Sequence, residues 1–226
     1  MGIITLPRKI YQQRDIIESI KDSMQLKEPV LVVTDRNIMK IFGDRIRRSL
    51  DGTDYRVIDD VKPEPEIAAI ESAYSSLSGF QPRTIIAIGG GSVIDFAKSL
   101  DVKISYPDRS IADVNPFEPL DLKAELIAVP TTSGTGSDVS FGIVVNDQGR
   151  KLALGNFDLV PYVSILDASL TPSDPNIIRP TGVDALVHSF EALTANTSTI
   201  FTDALAEKAI ETIFDNIEGS MKGDES

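Results

Sequence analysis

The chain reads as an α/β protein: an open, doubly wound parallel sheet that gives way to helices alone. Two observations predict this. Short apolar runs of strand length alternate with amphipathic helical stretches as far as Leu170, the rhythm of successive βαβ units. Beyond Pro172 two helical patterns follow one another with no strand between them. A third observation says how such a sheet is used. The apolar run Thr84 to Ile88 ends in Gly89-Gly90-Gly91-Ser92 and opens directly into a helical pattern.

Taken in order, Arg14 to Met24 is amphipathic, with Ile16, Ile17 and Ile20 on one helical face. Pro29 to Thr34 is a continuous apolar run, as expected of a strand covered on both sides. Asp35 to Leu50 returns to helical spacing through Ile38, Ile41, Phe42 and Ile46. Tyr55 to Ile58 predicts a strand, Pro63 to Ser78 a helix, Thr84 to Ile88 a strand and Ser92 to Lys103 a helix. Glu125 to Pro130 is the next strand. Ser140 to Asn146 and Arg150 to Leu154 flank Asp147-Gln148-Gly149 as a hairpin, and Val163 to Leu166 is the last strand. Thr181 to Ala195 and Ser198 to Met221 are helices. Pro172, Pro175 and Pro180 mark a boundary, so the expected domains are a Rossmann-like unit over 1–175 and the start of an all-helical unit over 176–226.

Composition bounds the function. The 226 residues are 42% hydrophobic and 25% charged, ordinary for a globular protein, and carry a net charge of −12. That charge argues against nucleic acid and against anionic membrane surfaces as partners. With no cysteine there is no disulfide, thiolate metal site or thiol nucleophile. The N-terminal MGIITLPRKI lacks a signal-type apolar segment, and no run is long enough to span a bilayer, so the expectation is a cytoplasmic protein.

A strand that ends in three glycines and a hydroxyl is suited to an anion. The backbone turns tightly, and the free N–H groups of the following helix point at negative charge. Pyrophosphate is the usual guest of such a turn, and a tight strand-to-helix connection is the alternative. The loop Pro130 to Asp138, PTTSGTGSD, supplies hydroxyls and glycines at the carboxyl end of another strand, the edge where open α/β sheets bind ligands. Asp35, just past its strand, is placed to accept from an adenosine ribose and repel a 2′-phosphate, favouring NAD over NADP. It is equally suited to cap the next helix, and both roles are compatible. Asp95 follows Ser92 at capping-box spacing, and Lys98 reads as a solvated helix residue. Lys151 is either a cation near a cofactor or an exposed strand lysine. Asp184 and His188, at i and i+4 on a helix that Thr181 is placed to cap, share a face as half of a divalent-metal site or as a surface pair. His188 is the only histidine, and Glu191 on the same helix is either a further oxygen donor or a packing or salt-bridging residue.

Three segments, IGGGSVIDFAK (Ile88 to Lys98), PTTSGTGSD (Pro130 to Asp138) and TGVDALVHSFEAL (Thr181 to Leu193), resemble in order and spacing the signatures of the iron-containing, group III alcohol dehydrogenases. Thr34-Asp35 and the LP…ILD…LT pattern at Leu159 to Thr171 agree with the resemblance, which covers nearly the whole chain. More distantly the chain is similar to dehydroquinate synthase and glycerol-1-phosphate dehydrogenase, which share the architecture. The resemblance implies that Gly89, Gly90, Gly91, Ser92 and Asp95 hold the pyrophosphate and its neighbouring ribose. It implies that Thr131, Thr132 and Thr135 line the nicotinamide half, that Lys151 and Leu170 touch the cofactor, and that Asp35 reads the adenosine ribose. Asp184 and His188 are then the first two of four ligands to Fe²⁺, or sometimes Zn²⁺.

There are departures. The glutamate usual after the GTGS run is Asp138, and Tyr11-Gln12-Gln13-Arg14 stands where the family often has a glycine-rich turn. Family members carry two further histidine ligands in a long helical continuation, and this sequence reaches Ser226 before either. The resemblance implies NAD-dependent, metal-dependent oxidation of a small alcohol or reduction of an aldehyde or ketone. The alternative is an inactive dinucleotide-binding module. Leu205, Ala209, Ile213 and Phe214 are expected to lie exposed, favouring a homo-oligomer.

Overall fold

A computed structural model describes residues 4–222. The chain divides into two compact units, one of Thr5–Thr131 with Ser137–Leu170 and the other of Thr132–Gly136 with the chain from Thr171 onward.

The first unit is built on six parallel strands: β1 (Lys9–Gln12), β2 (Val30–Thr34), β3 (Tyr55–Ile58), β4 (Thr84–Gly89), β5 (Glu125–Pro130) and, after a separate hairpin, β8 (Val163–Leu166). Their order in the sheet is β1-β8-β5-β4-β2-β3. The hairpin of β6 (Gly142–Asp147) and β7 (Arg150–Gly155) forms its own antiparallel pair, turning at Gln148 and Gly149 with φ of 52° and 82°. Two positive φ values at the centre of a two-residue loop match the twist of the strands it joins.

Helices cover both faces, as predicted. One face packs Leu31, Val33, Ile85, Ala87 and Ala128 against α3 (Ile67–Ser76) and α4 (Gly91–Ser105). The other packs Val30, Val32, Ile86, Ile88 and Val129 against the 3₁₀ turn Ile16–Ser19, α1 (Ile20–Met24) and α2 (Arg36–Ser49). Central strands β2 and β4 are buried at every residue, which is why they read as unbroken apolar runs and not as alternating ones.

Three readings of the sequence are corrected. Strand β1 was not foreseen: its burial pattern is largely exposed, so no periodicity marked it, and only pairing with β8 makes it a strand. The expected helix over Arg14 to Met24 is a 3₁₀ turn followed by one short α-helix, although Ile16, Ile17 and Ile20 are buried as expected.

The third concerns the helical unit, whose helices are α5 (Pro175–Thr194) and α6 (Ile200–Met221). Helix α5 starts at Pro175 and not at Thr181. Asp174 caps it by accepting from Asn176 N–H, and Pro175 sits in the first turn, where its missing N–H is no loss. Pro180 lies inside the helix, and Thr181 is no cap: its hydroxyl donates back to the carbonyls of Ile177 and Ile178. Helix α6 opens with a capping box between Thr199 and Thr202. On these two helices Val183, Val187, Phe190, Leu205 and Phe214 are exposed, while Ala209 and Ile213 are half-buried.

Candidate functional site

Strand order creates the site. From β2 the chain moves outward to β3 and then returns to the opposite side of β2 for β4, so the connections leaving β2 and β4 diverge. The crevice outside the carboxyl ends of such a pair is where open α/β sheets take ligands. Register brings the three predicted loops to this one edge. Thr34 pairs with Ile88, so Asp35 follows β2 beside the glycine turn, and Gly89 pairs with Pro130, so Thr131 follows β5 next to it. The Thr131 N–H donates to Gly89 O at 3.1 Å, joining the two loops.

At the turn, Gly90 is the N-cap of α4, and the helical ladder begins with the N–H groups of Val93 and Ile94, both donating to Gly90 O. The amides of Gly91 and Ser92 stand before that ladder, the position from which a helix N-terminus addresses an anion. The three glycines are not equivalent. A Cβ on Gly89 would lie 2.6 Å from Val93 Cγ2 and 2.7 Å from Val93 Cβ, so glycine is required there by helix–strand packing. Gly90 has φ −74° and ψ −175°, extended backbone open to any residue, so its glycine answers to no positive φ.

Asp35 is the N-cap of α2: its Oδ1 accepts from Asn37 N–H at 2.8 Å and Ile38 N–H at 3.1 Å. The capping role is thus filled, with the carboxylate still at the ligand edge. Asp95 is different. It forms no capping box with Ser92; it is 7% exposed, and its Oδ2 accepts from Val144 N–H at 3.0 Å, on β6. Burial pushes its carboxyl up, against the pull of Lys98, Val144 and Ser137. Leu170 is wholly buried in the apolar cluster of the second face.

The largest correction is Lys98. Read as a solvated helix residue, it is 0% exposed, with Nζ donating to Ser140 O at 2.8 Å and Gly142 O at 2.9 Å. Desolvation draws its ammonium down to about 8, although Asp95 and Asp138 oppose the shift. Asp101, one turn further, is also buried and pushed up to about 7 by desolvation, with hydrogen bonds from Ala124 and Ser105 acting the other way. A signal for this was present. Val93, Ile94, Phe96, Ala97, Leu100, Val102 and Ile104 make α4 apolar all round, and such a helix is buried on every side, charged residues included. Asp138, at the family's glutamate position, is buried and accepts from Ser164 Oγ at 2.7 Å.

Lys151, on β7, is exposed and forms an ion pair with Glu64 Oε1 at 3.0 Å. Glu64 in turn donates its N–H to Ser92 Oγ at 3.3 Å, which ties this pair to the glycine turn. Sequence reasoning missed Glu64, because the contact spans 28 residues and leaves no local pattern.

The helical unit holds Thr132, Thr135 and the predicted metal ligands. A Cβ on Gly134 would meet the Thr181 carbonyl oxygen at 3.0 Å and Asp184 Oδ2 at 3.2 Å, so the loop lies close against α5. His188 Nδ1 is 3.4 Å from Gly134 O, and Nε2 is 3.8 Å from Asp184 Oδ1. An Nδ1–H donated to that carbonyl leaves the Nε2 lone pair for a metal, the usual way a protein orients a ligating imidazole. The donor types suit Fe²⁺ or Zn²⁺, but their number does not. Among the described residues no group of three or more His, Cys, Asp or Glu is assembled, whereas a divalent ion needs three or four donors to be fixed. Glu191 does not join them.

A doubly wound sheet with a glycine turn at its switch point is the architecture on which open α/β proteins bind dinucleotides, here carried with a helical unit bearing an Asp/His pair. Comparison with known proteins narrows this class. Residues 7–168 match the family model for iron-containing alcohol dehydrogenase, and residues 179–226 match that for the C-terminal part of the Fe-containing alcohol dehydrogenase family. The chain belongs to the iron-containing alcohol dehydrogenase family. It is 35% identical over 241 residues to an aldehyde-alcohol dehydrogenase of Streptococcus pneumoniae, covering 98% of this chain and 27% of that protein. It is 35% identical over 230 residues to an NADPH-dependent butanol dehydrogenase of Clostridium saccharobutylicum, covering 97% of this chain and 59% of that one. An iron-containing alcohol dehydrogenase from Thermococcus thioreducens superposes with a TM-score of 0.90 at 31% identity, covering 98% of this chain and 62% of the other. The chain thus spans less than two thirds of the length of each of these relatives.

Proposed function

We propose that the chain supplies the NAD(H)-binding part of a dehydrogenase that moves a hydride between nicotinamide C4 and the carbonyl carbon of a small aldehyde or ketone. The observation that carries this reading is the convergence of Asp35, Gly89 to Ser92 and Thr131 on one edge of the sheet, at its switch point. In this reading the amides of Gly91 and Ser92 hold the pyrophosphate and Asp35 accepts from the adenosine ribose. Thr131, with Thr132 and Thr135, lines the nicotinamide half, and Lys151 supplies a cation. The burial of Asp95 and Leu170 favours positioning roles for both rather than direct contact with the cofactor.

Asp35 supports NAD over NADP, since a carboxylate beside the ribose repels a 2′-phosphate. The family does not decide this by itself, because one relative is named as NADPH-dependent. Asp184 and His188 are the residues that would hold a divalent ion, which in such dehydrogenases acts as a Lewis acid on the substrate oxygen. Among the described residues no third His, Cys, Asp or Glu stands with them.

That shortfall favours a second reading: the 226-residue polypeptide binds dinucleotide without turning over alcohols. One experiment serves both readings. Calorimetric titration with NADH and NADPH is expected to show tighter NADH binding, and an assay with short alcohols, NAD and added Fe²⁺ or Zn²⁺ then separates enzyme from module. Absence of dinucleotide binding would overturn the reading as a whole. Among the described residues no helix is long and apolar enough to cross a membrane.

A further inference from the structure

The hairpin β6–β7 is not hydrogen-bonded into the six-stranded sheet, yet it carries Lys151. Ile143 and Val145 are buried in the apolar cluster shared with α4, and a pair of buried charged residues on α4, the helix whose N-terminus forms the glycine turn, adds directional ties. Lys98 Nζ donates to Ser140 O and Gly142 O, at the start of β6, while Asp95 Oδ2 accepts from Val144 N–H two residues on. The far end of β6 is held separately, by Asn146 N–H donating to Pro65 O at 2.8 Å. Next to Pro65 stands Glu64, which pairs with Lys151 and donates to Ser92 Oγ. The connections therefore run in a loop: from the body of α4 to the hairpin, along the hairpin to Lys151, and back through Glu64 to the first turn of α4.

From this arrangement we propose that Lys98 is a positioning residue for dinucleotide binding, which sets the hairpin on α4 so that Lys151 is held at the glycine turn. The proposal rests on the reading that this turn and Lys151 bind the cofactor. An ammonium suits the task better than an apolar side chain. Two backbone carbonyls must be satisfied away from water, and a charged donor makes the stronger bonds to them. Its charge is offset where it lies, since Asp95 and Asp138 are the carboxylates acting on it. Lys98 also lies in the middle of α4, so a bond fixed there carries the orientation of the helix over to the hairpin. Exposed Lys151 and Glu64 form a pair that solvent alone would leave loose. The buried clamp limits where Lys151 can go.

The test is a double-mutant cycle on NADH affinity with Lys98→Met and Lys151→Met. Each single variant is expected to raise the NADH Kd about tenfold, the size of one charge-assisted contact. The double variant is expected to be no weaker than the weaker single one, because Lys98 acts through Lys151. Additive losses, or wild-type affinity in Lys98→Met, would overturn the proposal. Should Lys98→Met fail to fold, hydrogen exchange on the unaltered protein decides. NADH is expected to slow exchange at Val144 and Asn146 together with the glycine turn, and protection confined to the turn counts against the clamp. If the unaltered protein binds no NADH, it is the cofactor reading that fails, a result distinct from either of these.

Discussion

Replacing Gly89 with alanine is the most direct test of how the glycine turn is built. The added Cβ would sit 2.6 Å from Val93 Cγ2, 2.7 Å from Val93 Cβ and 3.0 Å from Val93 Cγ1, where carbon atoms pack best at about 3.5–4.0 Å. Rotating Val93 does not relieve this, because its Cβ stays fixed and a β-branched side chain in a helix has essentially one rotamer. The first turn of α4 must instead move away from the end of β4 by about 1 Å, a shift of the kind that costs about 1–3 kcal/mol in a packed core. For a chain of this size that corresponds to a fall in melting temperature of roughly 2–12 °C. The same displacement moves the amides of Gly91 and Ser92, so NADH affinity should fall as well. Thermal unfolding followed by circular dichroism, with NADH titration at a temperature where the variant is folded, measures both. A variant that melts with the unaltered protein would refute the packing argument.

Gly90→Val makes the complementary case. The backbone at Gly90 is extended, so the fold should persist while dinucleotide binding is lost, and unchanged affinity in calorimetry would show that no ligand approaches there. Asp35→Gly should narrow the preference for NADH over NADPH at little cost to α2, since glycine is a tolerable N-cap; an unchanged ratio of dissociation constants would remove Asp35 from the cofactor site. Asp101→Asn should stabilise the protein increasingly between about pH 4 and 7 and by a constant margin above. The buried carboxyl, raised to about 7, is neutral at low pH and carries a growing penalty as it ionises, at most about 4 kcal/mol; denaturant unfolding across pH with no such divergence would place Asp101 in a polar setting. The 226-residue polypeptide should retain well under one equivalent of Fe²⁺ or Zn²⁺ after dialysis and show no appreciable alcohol-dependent NAD reduction. Robust turnover that disappears in His188→Ala would mean that further ligands join Asp184 and His188.

Much of the fold was legible because neighbours in sequence carried it. Strands β2, β4 and β5 announced themselves as apolar runs, the turn of β6 and β7 as Asp147-Gln148-Gly149, and α2 through its spacing and the capping Asp35. The glycine turn was legible for the same reason, and placing it beside Asp35 and Thr131 needed only the rule that parallel strands end at one edge. The start of α5 was misread because proline speaks against a helix by rule, yet Pro175 lies in the first turn and Pro180 is tolerated within.

What the sequence by itself determined, then, is the succession of elements from β2 onward and the parallel sheet, since these follow from unbroken apolar runs, the 3.6-residue period of the helices and turn chemistry. Only the tertiary structure decided the fate of the charged residues. Lys98 and Asp95 became a buried clamp, Asp101 a carboxyl held toward its neutral form, and Glu64 the partner of Lys151. A charge is placed by whatever packs around it, and for α4 those neighbours come from the start of β6, from Ala124 before β5 and from the segment at Glu64, far away along the chain. Burial by distant elements leaves little trace in local spacing, and so these pairings appear only once the chain is folded.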